Sequence, residues 1–118
     1  MSIGNYAENK MITDLLITPG CFVALHTADP GETGTGELSG GSYVRKAAGL
    51  AAPVNGVSTN AADILYTGMP ASTITHLGLW DAATAGNFLW GGVAGAPKTY
   101  AAGDECKVTA GTLSVTLD

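Results

Sequence analysis

The chain has 118 residues and a net charge of −5, with 46% of residues hydrophobic and only 13% charged. That balance excludes the disordered class, and the length predicts one domain around one modest two-layer core. Only Arg45 and Lys46 among the five basic residues are adjacent, so no basic stripe exists for nucleic acid, and no apolar run approaches the roughly 20 residues of a membrane span.

The opening stretch, Met1–Lys10, is polar and lacks the layout of a signal peptide, which predicts synthesis in a cytoplasm without export. Few charges and 17 glycines predict an exterior of Ala, Gly, Thr and Ser. Such a surface meets neighbouring subunits at little desolvation cost.

Residues 5–17 read as the only helix. Asn5 suits an N-cap, and Glu8 three residues on resembles a capping box. Ala7, Met11 and Leu15 recur at a spacing of four, Ile12 and Leu16 widen the stripe, and Pro19-Gly20 ends it. From residue 20 onward the period becomes two. Cys21–Thr27 reads as a strand, and Asp29-Pro30-Gly31 as a turn. Residues 29–42 are Gly-rich, with Leu38 as the one large apolar residue, and predict a long surface loop.

Ser42–Lys46 and Val57–Tyr66 read as further strands, with Asn55-Gly56 marking a turn before the second. Thr73–Trp80 and Phe88–Val93 form the clearest hairpin, around a turn at Asp81–Asn87, and place Trp80 and Trp90 to meet across it or between subunits. Pro97–Tyr100 reads as a short edge strand. Cys106–Ala110 and Thr112–Leu117 read as one strand bulged at Gly111. The pattern predicts a mainly β fold: an antiparallel β-sandwich or jelly-roll-like barrel of about seven or eight strands, with one N-terminal helix.

Chemistry is sparse. Cys21 and Cys106 lack metal-ligand spacing and read as buried free thiols. His26 and His76 each lie on a strand, where a hydrogen-bonded structural role is the expectation. The Gly-rich loop lacks a phosphate-binding ending, and Asp29, Glu32 and Glu37 do not follow a calcium-loop spacing. No nucleophile turn or paired carboxylates stand out, so neither an enzyme nor a cofactor is expected.

The segments AENKMITDLL (7–16), FVALHTADP (22–30), ELSGGSYVRKA (37–47), ITHLGLWDAATAGNFLWGG (74–92) and PKTYAAGDECKVTAGTLSVTLD (97–118) carry a resemblance. They resemble small phage virion structural proteins, variously tail-fibre-like, head-fibre or capsid decoration proteins. The resemblance implies a structural role in the particle, with synthesis in the bacterial host, and brings over no catalytic residue. The expected function is decoration or cementing of the capsid surface, with a tail or fibre component that binds host-surface glycan as the alternative. The expected partners are copies of the chain, as a trimer or ring, and a major capsid or tail protein; no nucleic acid or membrane is expected. Candidate assembly contacts are Met11, Leu15 and Leu16 on the helix, Glu32 and Glu37 in the loop, and Trp80 and Trp90 at the hairpin. Tyr100 joins the two tryptophans as a candidate sugar platform.

Overall fold

The computed structural model describes residues 3–117. Helix α1 (Asn5–Ile12) runs on into a π-helical turn at Thr13–Ile17, where the Thr18 amide donates to the Thr13 carbonyl. The spacing of four operates, but one residue out of phase with the expected stripe: Glu8, Ile12 and Leu16 face inward, while Met11 and Leu15 are exposed. The capping box does not form. Gly4 is the N-cap, because the Asn5 amide is engaged with Asn55 and the Glu8 carboxylate is buried beside Gly56.

The strands are β1 (Phe22–His26), β2 (Lys46–Ala47), β3 (Val57–Thr59), β4 (Ile64–Tyr66), β5 (Ser72–Trp80), β6 (Phe88–Tyr100), β7 (Cys106–Val108) and β8 (Ser114–Thr116). All their pairings are antiparallel. Four strands form one sheet in the order β2-β1-β5-β6, while β3 pairs β8 and β4 pairs β7. The sheets do not close into a barrel, so the jelly-roll-like alternative falls and the mainly β, antiparallel reading stands.

Two expected strands prove interrupted. Residues 57–66 split into β3 and β4, and residues 106–117 into β7 and β8. The two breaks lie opposite each other: Thr59 pairs Ser114, and Ile64 pairs Val108. Together the four strands form one long ribbon broken in the middle. The buried side chain of Asn60 fills the break. Its Oδ1 accepts from the Gly111 and Leu113 amides, each at 3.0 Å, and its Nδ2 donates to the carbonyls of Ala62 and Thr109 at 3.0 and 3.1 Å. A side-chain amide thus replaces ladder bonds that the backbone gives up by turning. Conversely, Pro97–Tyr100 is no separate edge strand. It is the far end of β6, where Thr73 pairs Thr99 and Ser72 pairs Tyr100.

The inner face of the large sheet contributes Val23, Leu25, Ile74 and Leu79 to a core completed by Ile64, Tyr66, Val108 and Val115 from the ribbon and by Ile12 and Leu16 from the helix. The Tyr66 hydroxyl, sealed in this core, donates to the Val23 carbonyl. Cys21 and Cys106 are both free and buried, and burial pushes the Cys21 thiol up to about 11, so it stays protonated and unreactive. No helix among the described residues is long and apolar enough to cross a membrane.

Candidate functional site

The outer face of the large sheet is covered by the Gly-rich segment 29–42, which is less a free loop than a strap. It turns back along β1, with the Thr27 amide donating to the Gly36 carbonyl and the Leu38 amide to the Leu25 carbonyl. Its own Pro30, Gly34 and Leu38 are buried. Glycine at position 34 is a steric need: a β-carbon there would collide with the Trp80 ring.

Arg45 locks this strap. Its Nε and Nη2 donate to the two oxygens of Glu37 at 2.9 and 2.8 Å, a bidentate pair. Its Nη1 donates to the carbonyls of Ala82 and Ala85 in the β5–β6 turn at 2.9 and 2.7 Å. The guanidinium also lies over the Trp80 ring, 4.0 Å from its centroid. Ala85 adopts a left-handed φ of 55°, a conformation costing an L-residue roughly 1–2 kcal/mol, and the Arg45 bond helps hold it there. The Tyr43 hydroxyl donates to Glu37 at 2.7 Å and accepts from the Leu25 amide at 3.1 Å. Burial opposes the charge on Glu37, but the Arg45 and Tyr43 hydrogen bonds outweigh it and hold the carboxyl below its ordinary value. Burial, reinforced by Glu37, pushes the Tyr43 phenol well up.

Beneath the strap His26 is fully buried. Its Nδ1 lies 2.9 Å from the Thr35 carbonyl, which can only accept, so Nδ1 carries the proton. Its Nε2 is buried without a hydrogen-bond partner, and the ring stacks parallel to Trp80. Gly78 gives the imidazole room, since a β-carbon there would lie 2.5 Å from Nε2. Burial is the main force holding the imidazole below its ordinary pKa of 6.5; Arg45 and His76 add to it, while Thr35 and Glu37 oppose it. A histidine neutral in the fold and free to protonate when unfolded supplies stability that is intact above that ordinary value and is lost as pH falls toward the folded one. Urea midpoints are therefore expected to drop between about pH 7 and pH 5 in the native chain and to stay flat over that window in His26→Gln. Equal slopes in the two proteins would remove His26 as the cause.

The expected contacts separate into different places. Glu37 and Trp80 are brought together through Arg45, so Trp80 is packed against Arg45, His26 and Phe88 and offers no open platform. A shift of register between Leu79 and Trp80 puts Trp80 opposite Phe88 and Leu79 opposite Trp90, so the two tryptophans point to opposite faces and do not meet. Tyr100 is buried, which removes it as a sugar platform. Trp90 and Glu32 border one shallow hollow beside Phe88. Leu16 is in the core and is withdrawn as an assembly contact; Met11 and Leu15, each close to half exposed, keep an outward apolar face on the helix. Among the described residues no group of acids, histidines and cysteines gathers as a metal site.

Sequence reasoning missed Arg45, Tyr43 and the buried His26 as one unit. The usable signal was local: Glu37, Tyr43 and Arg45 lie within nine residues around a Gly-Gly turn, the only such acid–phenol–guanidinium grouping in the chain.

A second feature is the edge of the large sheet. Strand β6 has 13 residues, its inner side pairs β5, and its outer side pairs no strand among the described residues. Val93 on it is 71% exposed. Beneath it, between β6 and the β7–β8 arm of the ribbon, an open cleft of about 470 Å³ is lined by Leu77, Trp90, Val93 and Val115, with Lys98 and Lys107.

No curated protein matches the chain. A family model does, over residues 2–116, almost the whole length. It describes the podophage GP4 fiber I protein gp80. A mainly β, antiparallel body accords with a structural part of a virion, and the chain belongs to this family of phage fibre proteins.

Proposed function

We propose that the chain is a repeating subunit of a phage fibre, joined to copies of itself along β6 and attached to the particle through α1. The observation that carries the reading is the outer edge of β6. An edge strand of this length displays a row of backbone donors and acceptors, and such an edge in a native protein is either guarded or used. Here guarding is slight: Pro97 and Lys98 stand near one end, and glycines 91 and 92 leave the backbone bare. A strand from another copy would pair the edge and cover the cleft beneath it. Pairing of β6 with the opposite edge, β2, of the next copy is heterologous, the kind of contact that builds a trimer or ring when the rotation between copies closes.

The family match favours a fibre over the capsid decoration expected from sequence. Both readings use the exposed face at Met11 and Leu15, which suits a major capsid or tail protein as the docking partner. Copy number separates them, since a shell decoration is present in many copies and a fibre in few. Glycan binding has only Trp90 left to support it.

The test pairs two substitutions at exposed positions. Val93→Lys puts a charge on the β6 edge, and Met11→Asp puts one on the helix face. Light scattering should show the native chain as an oligomer and Val93→Lys as a folded monomer. Met11→Asp should stay oligomeric but be missing from purified virions by quantitative mass spectrometry. A native chain that is monomeric at high concentration, or a Val93→Lys variant that assembles normally, would overturn the proposal.

A further inference from the structure

The Asn55-Gly56 turn joins Val54 to Val57 as a two-residue hairpin loop, with reciprocal backbone bonds between the flanking residues. Both central residues have positive φ, 52° and 75°. Asn-Gly is the preferred pair for this turn. It is also the pair in which a side-chain amide faces a following backbone nitrogen with no β-carbon to shield it. Asn55 is exposed to water, whereas Gly56 is buried under the helix.

Helix α1 holds both reacting groups. The Gly56 amide donates to Asn9 Oδ1 at 2.9 Å, and Asn55 Oδ1 accepts from Asn5 Nδ2 at 3.2 Å. Asn5 and Asn9 are one helical turn apart, so one face of α1 clamps the pair. The Glu8 carboxylate lies between them in sequence and closes on the same spot: a β-carbon on Gly56 would stand 2.6 Å from Glu8 Oε2. The remaining side is held by the Leu117 amide, which donates to the Gly56 carbonyl at 2.9 Å.

We propose that Asn55 is a site of spontaneous deamidation, and that docking of α1 is the gate that keeps it closed. When the helix lifts, the Gly56 nitrogen gives up its proton to solvent and attacks the Asn55 side-chain carbonyl carbon. The new C–N bond forms as the Cγ–Nδ2 bond breaks, and ammonia leaves with that proton. Water then opens the resulting succinimide at either carbonyl, giving aspartate or isoaspartate at position 55. With the helix docked, the attacking nitrogen is already donating to Asn9, and the bond from Asn5 holds the Asn55 side chain in one rotamer, so the approach of the nitrogen to Cγ is opposed.

The product favours the open state. Either acid brings a new carboxylate to the turn on which the buried Glu8 closes at Gly56, and isoaspartate also lengthens the backbone inside a two-residue turn. Two carboxylates brought to one turn, one of them buried, oppose redocking. The modification is therefore a one-way record of helix release. It concerns only α1 and the turn, and stands whether or not the chain builds a fibre.

The experiment follows full-length chain through incubation at mildly alkaline pH. Peptide mapping by mass spectrometry quantifies deamidation at every asparagine, with an isoaspartate-specific assay alongside. The native chain should react slowly at Asn55, and Asn9→Ala about five-fold faster, the factor carried by one hydrogen bond of about 1 kcal/mol. The chain held in urea should be faster still. Asn60, deep in the fold, reports on global unfolding and should be unchanged in Asn9→Ala. In a second variant, Asn55→Asp, limited proteolysis should cut within residues 5–17 sooner than in the native chain. Equal Asn55 rates in the native, Asn9→Ala and urea-unfolded chains would overturn the proposal, as would an Asn60 rate that rises in step with Asn55 in the variant.

Discussion

Replacing Asn60 with alanine is expected to destabilise the fold by roughly 3–5 kcal/mol, the largest loss from any single side-chain amide in the chain. The residue is 1% exposed and bonds four backbone groups, on both strands of the ribbon, where it breaks. Truncation leaves the Leu113 amide buried without its acceptor and the Ala62 carbonyl without its side-chain donor, and it opens a void between them. Urea denaturation at neutral pH measures the loss. A loss below about 1 kcal/mol would mean that the backbone closes the break on its own.

Asn60→Asp tests the same geometry more selectively. It keeps the acceptor facing Gly111 and Leu113 but turns an oxygen toward the carbonyls of Ala62 and Thr109. Only the protonated acid restores a donor there, so the folded state raises the carboxyl pKa. Stability tied to a raised pKa is present at low pH and lost as pH climbs through the folded value. This variant should therefore gain ground on the native chain as pH falls toward about 4. No such gain would show that the donor side of Asn60 is dispensable.

The second large effect is expected at Arg45. Arg45→Met retains most of the stem and removes the charge, and it should cost about 3 kcal/mol. The side chain is 7% exposed, and its loss leaves the mostly buried Glu37 without a counter-charge, with only the Tyr43 hydroxyl bonded to it, while releasing the Ala82 and Ala85 carbonyls. Glu37→Gln should cost less, because Arg45 keeps its bonds to the turn. The double variant should fall short of the sum of the singles by about 1–2 kcal/mol, the coupling of a shared network. Near-ultraviolet circular dichroism should change most in Arg45→Met, since Trp80 loses the guanidinium above it. Additive losses would mean that the strap and the hairpin turn are anchored separately.

Much of the β architecture was legible because it is written in short-range pattern. The hairpin of β5 and β6 could be read from alternation on either side of Asp81–Asn87, and Asp81 caps that turn as such a residue should, accepting from the Asn87 amide at 2.7 Å. The helix was legible from spacing, but its inward face was not. Stripes 7-11-15 and 8-12-16 are both plausible in one dimension, and only the neighbour that the helix meets chooses between them. The capping box failed for the same reason, since Asn5 and Glu8 found better partners some fifty residues away at Asn55 and Gly56.

What the sequence determined by itself was everything that depends on a residue and its near neighbours: a charge-poor chain, mainly antiparallel strands, one helix, turns at Asn55-Gly56 and Asp81–Asn87, and two sequestered thiols. Tertiary structure alone decided the closures. It set Arg45 over Trp80, placed Asn60 in the gap of the ribbon, folded the strap over His26, and left the outer edge of β6 unpaired among the described residues. Those outcomes rest on pairings between residues far apart in the chain, whose loop entropy is recovered only when the whole sheet forms. No local pattern encodes which distant partner a polar side chain will find.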